Sequence, residues 1–430
     1  MKDHSRATML TPLFARLITL ASLAIVAGQP AHAQVYTVLH KFHGTDGSNP
    51  EAAPAIDTAG NLYGTTMGGG DLTCDLPFGC GVIYKLAPAG HLTVLHVFAG
   101  ESLAFAPEDG SLPMGGLIAD PEGNMYGTSY SGGDGCRPSG CGTVFKLNGQ
   151  DKVVLLHNFA GGPNDGSAPV AGLLRDSAGN LYGSTGSGGV QNVFGSAFML
   201  TTDGAETMLH LFTSAPDGSF PQSALTSDPA GNLYGTTAAG GSLNNNCMGV
   251  GCGTVYELTP GSSGWTETVI YSFLGGTDGL APRGNLLQDS AGNFYGVTGG
   301  GGNTNCGSFG CGTVFELSPG SGGWTESILY RFTGASDGAN PAGGLVQDSV
   351  GNLYGISTSS GDPTCGCGTV FKLSSSGVLT TLHTFTGPDG ARPSGLFLSK
   401  ADVLYGAAAA GGDTTCNSPN GCGVIFKITQ

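Results

Sequence analysis

The side chains best suited to ligand chemistry are four arginines at irregular positions of a repetitive chain that is otherwise poor in charge. Arg283 and Arg392 flank a proline that precedes a short apolar segment, and Arg175 precedes an aspartate at a position that is uncharged in the other repeats. Arg137 lies between two cysteines, and Phe105, a fifth candidate contact, lies in an insertion. Because a guanidinium donates two parallel hydrogen bonds to a carboxylate, the arginines are candidate ligands for a sugar carboxylate. Solvated or ion-paired arginines are the structural alternative.

No known catalytic motif accompanies these residues. The sequence has neither His-Glu-x-x-His nor a phosphate-binding loop with its lysine, and glycine runs follow from composition, since 78 of the 430 residues are glycine. One position of the repeat holds either histidine or tyrosine. Its occupants are His40, His96, His157, His210, Tyr271, Tyr330 and His383. A position that accepts both residue types predicts a role in hydrogen bonding and packing rather than in metal binding.

The chain repeats the motif Asp-x-x-Gly-Asn-Leu-Tyr-Gly. Copies occur at Asp57–Gly64, Asp120–Gly127, Asp176–Gly183, Asp228–Gly235, Asp289–Gly296 and Asp348–Gly355, and a divergent copy ends at Gly406. The motif tyrosines run from Tyr63 to Tyr405 in six steps, which gives a mean spacing of 57 residues. A period of this size with strand-like content predicts a closed or stacked array of structural repeats.

The aspartates of the repeat have the positions of turn residues. In Asp-x-x-Gly, the carboxylate accepts backbone hydrogen bonds, and the glycine adopts the left-handed conformation that closes a hairpin. A second set begins the loops of the form Asp-Gly-x-x-Pro. Its members are Asp46, Asp109, Asp165, Asp217, Asp278, Asp337 and Asp389. These seven acids could attract calcium, but we expect turn capping, and we expect no cofactor.

The twelve cysteines form six local pairs, each just before a strand-like segment. The pairs are Cys74/Cys80, Cys136/Cys141, Cys247/Cys252, Cys306/Cys311, Cys365/Cys367 and Cys416/Cys422. In an exported chain, an even number of cysteines predicts disulfides, each adding about 2 kcal/mol for so short a loop, so we expect them to fix loops rather than to hold the fold together. No histidine accompanies the pairs, so we expect no zinc at them. The third repeat has Phe194 in place of the second cysteine. Only one residue separates Cys365 from Cys367, and the sequence does not decide whether these two form a disulfide.

Each repeat reads as four short strands separated by turn signals. The fourth type of strand already occurs at Thr37–Phe42, before the first motif, and the third type, Gly423–Ile428, closes the chain. The two end segments make one complete sheet if they pair, which leaves no bare sheet edge. The sequence therefore predicts an all-β, seven-bladed β-propeller whose N-terminal strand completes the last blade. The Asp-Gly-x-x-Pro loops and the cysteine loops are predicted to share one face.

Residues 1–33 have the pattern of a secretory signal peptide. Basic residues precede an apolar run, Leu17–Ala27, and Ala31 and Ala33 are the small residues that a signal peptidase recognises. A buried N-terminal helix is the alternative. We therefore predict a signal peptide at 1–33, a single propeller at 34–430, and export to the periplasm or the extracellular space.

The chain is acidic, with a formal net charge of −16 at pH 7. Such a surface repels phosphate backbones, which argues against nucleic acid as a partner. We expect no membrane anchor and a monomeric protein.

The unit Gly-Leu-x-x-Asp-x-x-Gly-Asn-Leu-Tyr-Gly-Thr-Thr, followed by Gly-Thr-Val-Phe-Lys-Leu and Leu-His-x-Phe, resembles the bacterial Gloeo/Verruco (GloVer) repeat family. Residues Gly231–Thr237, Gly253–Leu258 and Leu382–Phe385 carry the resemblance, which covers nearly all of the chain after residue 33. More distantly, Asp-x-x-Gly-Asn-x-Tyr is similar to the first hairpin of NHL-type propeller blades. The resemblance implies an exported, repeat-built protein, and it brings no catalytic residues.

Three functions remain open at this point. The first is a secreted binding or scaffold propeller that engages an extracellular polysaccharide or protein through the cysteine-stapled loops, which are variable and lie on a rigid frame. The second is a carbohydrate-active enzyme, a lyase or hydrolase, in which Arg175, Arg283 or Arg392 meets a tyrosine or histidine at the channel mouth. The third is a structural component of the envelope or matrix. Without a catalytic motif, we favour the first.

Overall fold

The computed structural model describes Met1 and residues 34–74, 78–99, 109–136, 139–162, 165–188 and 194–429. Gln34–Gln430 forms one compact unit. The predicted signal peptide, apart from Met1, lies outside the described residues, and so do Phe105 and Arg137. No described helix is both long and apolar enough to cross a membrane.

The unit is a seven-bladed β-propeller, as predicted. Each blade is an antiparallel meander, and its first strand lies innermost. Blade 1 comprises β2 (Ala55–Ile56), β3 (Leu62–Thr66), β4 (Val82–Leu86) and β5 (Leu92–Val97); blade 2 comprises β6 (Ile118–Ala119), β7 (Met125–Ser129), β8 (Thr143–Leu147) and β9 (Val153–Asn158). Blade 3 comprises β11 (Leu174–Arg175), β12 (Leu181–Thr185), β14 (Ser196–Leu200) and β15 (Glu206–Leu211), next to a small ladder of β10 (Gly166–Ser167) and β13 (Ser187–Gly188).

The later blades have longer inner strands. Blade 4 comprises β16 (Gly218–Pro221), β17 (Thr226–Ser227), β18 (Leu233–Gly240), β19 (Thr254–Gly261) and β20 (Gly264–Ser272). Blade 5 comprises β21 (Gly279–Gln288), β22 (Phe294–Gly301), β23 (Thr313–Gly320) and β24 (Gly323–Arg331); blade 6 comprises β25 (Ala339–Gln347), β26 (Leu353–Ser359), β27 (Thr369–Leu373) and β28 (Leu379–Thr384). Blade 7 comprises β29 (Ala391–Leu398), β30 (Val403–Ala410), β31 (Val424–Thr429) and β1 (Val35–Lys41). The helix in the described residues is one 3-10 turn, Thr304–Cys306.

The two ends of the chain pair with each other. β1 runs antiparallel to β31, from Val35 opposite Thr429 to Lys41 opposite Val424. The N-terminal strand is therefore the outermost strand of blade 7, which confirms the predicted closure. Pairing the ends satisfies backbone groups that would otherwise form a free sheet edge.

An aromatic pair lies at each of the seven seams between blades. The phenylalanine that follows an outermost strand meets, edge to face, the aromatic residue on the third strand of the next blade. The pairs are Phe42–Tyr84, Phe98–Phe145, Phe159–Phe198, Phe212–Tyr256, Phe273–Phe315, Phe332–Phe371 and Phe385–Phe426, with centroids 5.0–5.4 Å apart. Edge-to-face rings attract beyond the burial of their area. The motif glycine provides the space, since a Cβ on Gly64 would overlap the Tyr84 hydroxyl oxygen.

The motif aspartates cap turns, as their spacing predicts. Asp57 accepts hydrogen bonds from the Asn61 backbone at 2.8 Å and from the Asn61 side chain at 2.7 Å, and five further copies repeat both bonds. In the divergent seventh copy, Ser399 accepts from the Val403 backbone at 3.2 Å.

All six predicted disulfides are present, and the bridge between Cys365 and Cys367, which the sequence left open, is among them. The carbonyl of each second cysteine accepts a hydrogen bond from the residue before the loop proline of the next blade. The bonds run from Leu112 to Cys80, Ala168 to Cys141, Ala281 to Cys252, Asn340 to Cys311, Arg392 to Cys367 and Asn49 to Cys422. In the repeat that lacks a pair, Phe194 accepts the same bond from Phe220 at 2.9 Å. Disulfide loops and Asp-Gly-x-x-Pro loops therefore meet on one face, as predicted.

The second cysteine of each pair is buried, although it lies just outside the strands. Cys80, Cys252 and Cys422 are 2%, 0% and 1% exposed, and they belong to three hydrophobic clusters between blades, beside Phe98, Phe273 and Phe42. Their counterparts are buried as well, namely Cys141, Cys311 and Cys367. The second cysteine of each bridge therefore packs between blades as well as closing a loop. Burial suits these residues because a disulfide sulfur is apolar, and a single glycine separates each second cysteine from the buried third strand of its blade.

Candidate ligand site in the central channel

The inner strands place one variable residue of each blade at the channel. This residue directly follows the proline of the Asp-Gly-x-x-Pro loop. The ring consists of Glu51, Met114, Val170, Gln222, Arg283, Ala342 and Ser394. All seven line a single cavity of about 670 Å³. A site built from one position of each repeat can bind an asymmetric ligand only where the repeats differ. In this ring, each blade contributes a different residue type.

Deeper in the channel, the lining residues are small. Six of them are glycine or alanine, and the seventh is Asn285. The set is Ala53, Gly116, Gly172, Ala224, Asn285, Gly344 and Gly395. A Cβ on Gly395 would stand 2.7 Å from the Ala53 backbone nitrogen, so small residues let the strands approach the axis. Asn285 accepts a hydrogen bond from the Ala224 backbone at 2.8 Å, and its NH₂ group is a further donor.

Arg283 is a cation without an acidic partner in the described part of the chain. Its side chain is half-buried in β21 beside Gly299, and no described residue forms an ion pair or hydrogen bond with its guanidinium. Burial lowers the pKa of Arg283, but arginine remains protonated at neutral pH because its ordinary pKa is far higher. A half-buried positive charge without a counterion attracts an anion.

Arg392 and Glu51 form a loose pair at the same cavity. The Arg392 Nη2 atom lies 4.0 Å from Glu51 Oε1, and the arginine side chain is 61% exposed against 20% for the glutamate. Burial raises the pKa of Glu51, and the charge of Arg392 opposes that rise. Because 4.0 Å exceeds hydrogen-bond distance, the Arg392 guanidinium keeps its donors for another partner.

The structure brings together two of the arginines that the sequence singled out. Arg283 and Arg392 line the same cavity. Arg175 lies elsewhere, at the end of β11, where it pairs with Leu181 and stands beside Gly179 of the following turn. The three arginines therefore do not converge.

The cysteines that the sequence associated with the ligand face do not line this cavity. Cys80, Cys252 and Cys422 are buried between blades, and the described wall of the channel contains no cysteine. Their contribution to a site is therefore indirect, because each holds a loop in place through its backbone carbonyl and its bridge.

Sequence reasoning missed Glu51, Gln222 and Asn285. None of them belongs to a motif, and each looks like a random polar residue until the repeats are aligned. Glu51 and Gln222 share with Arg283 the position directly after the loop proline, and this shared position is the signal that could have identified them.

In six of the seven blades, the His/Tyr position has the hydrogen-bonding role that the sequence predicts, and in the remaining blade His157 forms a longer ion pair. Each side chain faces the aspartate of the following Asp-Gly-x-x-Pro loop. The separations are 2.8 Å for His40–Asp46, 2.5 Å for His96–Asp109, 3.5 Å for His157–Asp165, 3.2 Å for His210–Asp217, 3.2 Å for Tyr271–Asp278, 3.0 Å for Tyr330–Asp337 and 2.9 Å for His383–Asp389. The same aspartates accept backbone hydrogen bonds, for example from Thr333 to Asp337 at 2.8 Å. They cap the loops, as predicted.

A family model described as the Gloeobacter/Verrucomicrobia repeat matches residues 25–248, 73–308 and 245–430. The chain belongs to the Gloeobacter/Verrucomicrobia repeat family. Membership accounts for the 57-residue period and confirms the resemblance drawn from the motifs. No curated protein matches the sequence of this family member.

Among solved structures, the family member is similar to proteins with different roles. A catalytically inactive virginiamycin B lyase from Staphylococcus aureus, determined with quinupristin, is 13% identical at a TM-score of 0.56, over 92% of this chain and 99% of the lyase. PorZ, a surface component of the type-IX secretion system of Porphyromonas gingivalis, is 13% identical at a TM-score of 0.51, over 91% of this chain and 47% of PorZ. At this level of identity, the likeness shows the propeller fold alone.

Proposed function

We propose that this protein is an exported, non-catalytic binding propeller that holds a carboxylate-bearing sugar of an extracellular polysaccharide at the loop-side mouth of its channel. The observation that carries the proposal is Arg283, a half-buried cation in the cavity that all seven blades line, without an acidic partner in the described part of the chain. A sugar carboxylate supplies that partner through two parallel hydrogen bonds.

The charge around the cavity supports an anionic ligand. Its charged lining residues are Arg283, Arg392 and Glu51, so arginine exceeds acid there although the whole chain has a formal charge of −16. A cleft of one sign with low-dielectric walls concentrates ligands of the opposite sign.

The remaining lining suits a sugar ring. Gln222 and Asn285 offer amide groups to hydroxyls, and Met114 and Val170 offer apolar surface to the CH face of a ring. A few precisely placed polar groups fix the orientation of a ligand in a concave site. An extended polysaccharide reaches the cavity across the disulfide-stapled loops, which the sequence predicts as the ligand face.

The lining favours binding over catalysis. The enzyme hypothesis needs arginine to meet a tyrosine or histidine, and none lies among the described residues of the cavity wall. Glu51 is the acid there, and acid–base cleavage needs both a proton donor and a proton acceptor in reach of the substrate. The six disulfides favour an oxidising compartment and hence export.

An array of acidic and neutral polysaccharides tests the proposal. We expect the secreted protein to bind uronate-containing polymers. We expect no binding to the same polymers after their carboxyl groups are chemically reduced to alcohols, a treatment that leaves the rest of each polymer unchanged. Equal binding to the reduced polymers, capture of proteins alone, or depolymerisation of the bound polymer would contradict it.

A further inference from the structure

A second kind of site lies at the seams between blades, away from the channel. In three consecutive blades, the outermost strand has a glutamate four residues before the His/Tyr position: Glu206 in β15, Glu267 in β20 and Glu326 in β24. The other four blades have Tyr36, Leu92, Val153 and Leu379 there. Each glutamate faces the His/Tyr–Asp pair of the preceding blade.

Two of these seams assemble an imidazole and two carboxylates. At the seam of blades 2 and 3, His157 Nε2 lies 3.5 Å from Asp165 Oδ1 and 3.7 Å from Glu206 Oε2. At the next seam, His210, Asp217 and Glu267 form the same arrangement. In each trio, the three candidate ligand atoms lie within 4.8 Å of one another.

The histidine–aspartate separations distinguish these two seams from the others. Where no glutamate is present, the separation is 2.8 Å at His40, 2.5 Å at His96 and 2.9 Å at His383. Where a glutamate is present, it widens to 3.5 Å at His157 and 3.2 Å at His210. Two ligands bound tetrahedrally at about 2.1 Å from one metal ion stand about 3.4 Å apart. The 3.5 Å separation at His157 matches two ligands arranged around one ion better than a direct hydrogen bond, whereas the 3.2 Å separation at His210 fits both arrangements.

Unpartnered polar atoms point to the same conclusion. His157 Nε2, Glu206 Oε1 and Glu267 Oε1 are shielded from solvent, and no described residue offers any of them a hydrogen bond. No described lysine or arginine pairs with either glutamate. The imidazole is the only basic group that the described residues place beside the two carboxylates, and a bound cation would satisfy all of these groups at once.

We propose that His157–Asp165–Glu206 and His210–Asp217–Glu267 are two divalent metal sites that tie the outermost strand of one blade to that of the next. One imidazole nitrogen with two carboxylates suits Zn²⁺ or Mn²⁺, whereas Ca²⁺ prefers oxygen ligands alone. At the third seam, Tyr271 stands where the imidazole would be, so Asp278 and Glu326 lack the nitrogen ligand.

The chain offers its own matched variants for the test. The secreted protein, without a histidine tag and stripped with EDTA, is titrated with ZnCl₂ by calorimetry and with MnCl₂ by electron paramagnetic resonance. We expect two ions per chain, one ion after His157→Tyr or His210→Tyr, and a third ion after Tyr271→His. Glu326→Gln, at the seam without an imidazole, leaves the count at two. Zn²⁺ raises the thermal unfolding midpoint of the wild type but not that of the variant with both histidines replaced.

Three outcomes would overturn the proposal. They are a folded wild type that takes up no Zn²⁺ or Mn²⁺, a folded double histidine variant that keeps two ions, and a Zn²⁺-induced rise in the unfolding midpoint that survives in that variant. The tyrosine side chain is native to this position at two other seams, so these variants are expected to fold, and circular dichroism checks it.

Discussion

Tyr36 stacks on His383 with ring centroids 3.6 Å apart and ring planes 2° apart. Its hydroxyl also donates a hydrogen bond to the Asp389 carbonyl at 2.7 Å, and burial raises the pKa of Tyr36, which keeps that donor protonated. Tyr36 belongs to the N-terminal strand in blade 7, whereas His383 belongs to blade 6. The closing strand is therefore held by backbone pairing within its own blade and by a ring contact across the seam.

Removing the aromatic ring of Tyr36 should weaken the closure of the propeller by its N-terminal strand. We expect Tyr36→Ala to lower the free energy of unfolding by about 2–3 kcal/mol, because a large aromatic side chain loses its contacts. Tyr36→Phe keeps the ring and loses the hydrogen bond, so we expect a loss of about 1 kcal/mol. Denaturant unfolding followed by near-UV circular dichroism measures both. A Tyr36→Ala variant as stable as the wild type would show that this strand does not close the propeller.

Tyr84 has a buried hydroxyl that costs stability. Its hydroxyl oxygen is shielded and without a hydrogen-bond partner in the described residues, whereas five other repeats have phenylalanine at this position. We expect Tyr84→Phe to stabilise the protein by about 1 kcal/mol, because burying an unpaired hydroxyl is unfavourable. The control is Tyr126→Phe, which removes a hydroxyl bonded to Asp120 at 2.9 Å and should destabilise by a similar amount. The idea fails if both substitutions shift the unfolding midpoint in the same direction.

Glu326 should make stability depend on pH. Burial, and then the charge of Asp278, raise the pKa of Glu326 to about 7 from an ordinary 4.5, against the opposing charge of Arg331. Between these values the folded state keeps a proton that the unfolded state has released, so this contribution to stability falls as pH rises from 4.5 to 7.

Glu326→Gln removes this dependence. The side chain is partly exposed, so we discount the full shift for solvent screening and expect the variant to be about 1 kcal/mol more stable than wild type at pH 8. The two should be equally stable near pH 4. Thermal unfolding at both pH values measures the difference, and Glu122→Gln, at an exposed turn, controls for the loss of a formal charge. A stabilisation of the same size at both pH values would contradict the account.

The disulfides should stabilise the propeller without being required for its fold. Replacing Cys306 and Cys311 together by alanine opens a loop closed over five residues and should cost about 2 kcal/mol in the loop-entropy model. Alanine avoids placing a hydroxyl at the buried Cys311. Repeat three forms a blade without such a pair, so we expect far-UV circular dichroism to be unchanged. Collapse of the β signal in the double variant would mean that the bridge is essential for folding.

Most of the fold could be predicted from the sequence because each blade corresponds to one copy of the repeat. Turn aspartates such as Asp57, the cysteine pairs and the displaced N-terminal strand each recur or complete a pattern, so blade number and closure follow from counting. The burial of Cys80, Cys252 and Cys422 was not predicted, because spacing along the chain pairs cysteines but does not show which half of a bridge faces the next blade.

The site was harder to predict, because a binding site in a symmetric ring lies where the pattern is broken. Arg283 and Arg392 were found because arginine is rare in this chain, and Arg175 was grouped with them although it lies at the opposite end of an inner strand.

The seam trios could not be predicted from one repeat. Glu206 looks like an ordinary strand residue in its own blade, and its relation to His157 and Asp165 exists only once neighbouring blades pack. The recurrence of glutamate four residues before His210, Tyr271 and Tyr330 was the available signal.

The most direct test of the channel proposal is a calorimetric titration of the wild type, Arg283→Gln and Arg175→Gln with a uronate oligosaccharide from the polymer that binds best on the array. Arg175 is the matched control, because it is an arginine on an inner strand that does not line the cavity. We predict that Arg283→Gln weakens binding by about 10-fold or more, since a charge-assisted hydrogen-bond pair is lost, and that Arg175→Gln binds like the wild type. Wild-type affinity in the Arg283→Gln variant, with its fold intact, would contradict the account.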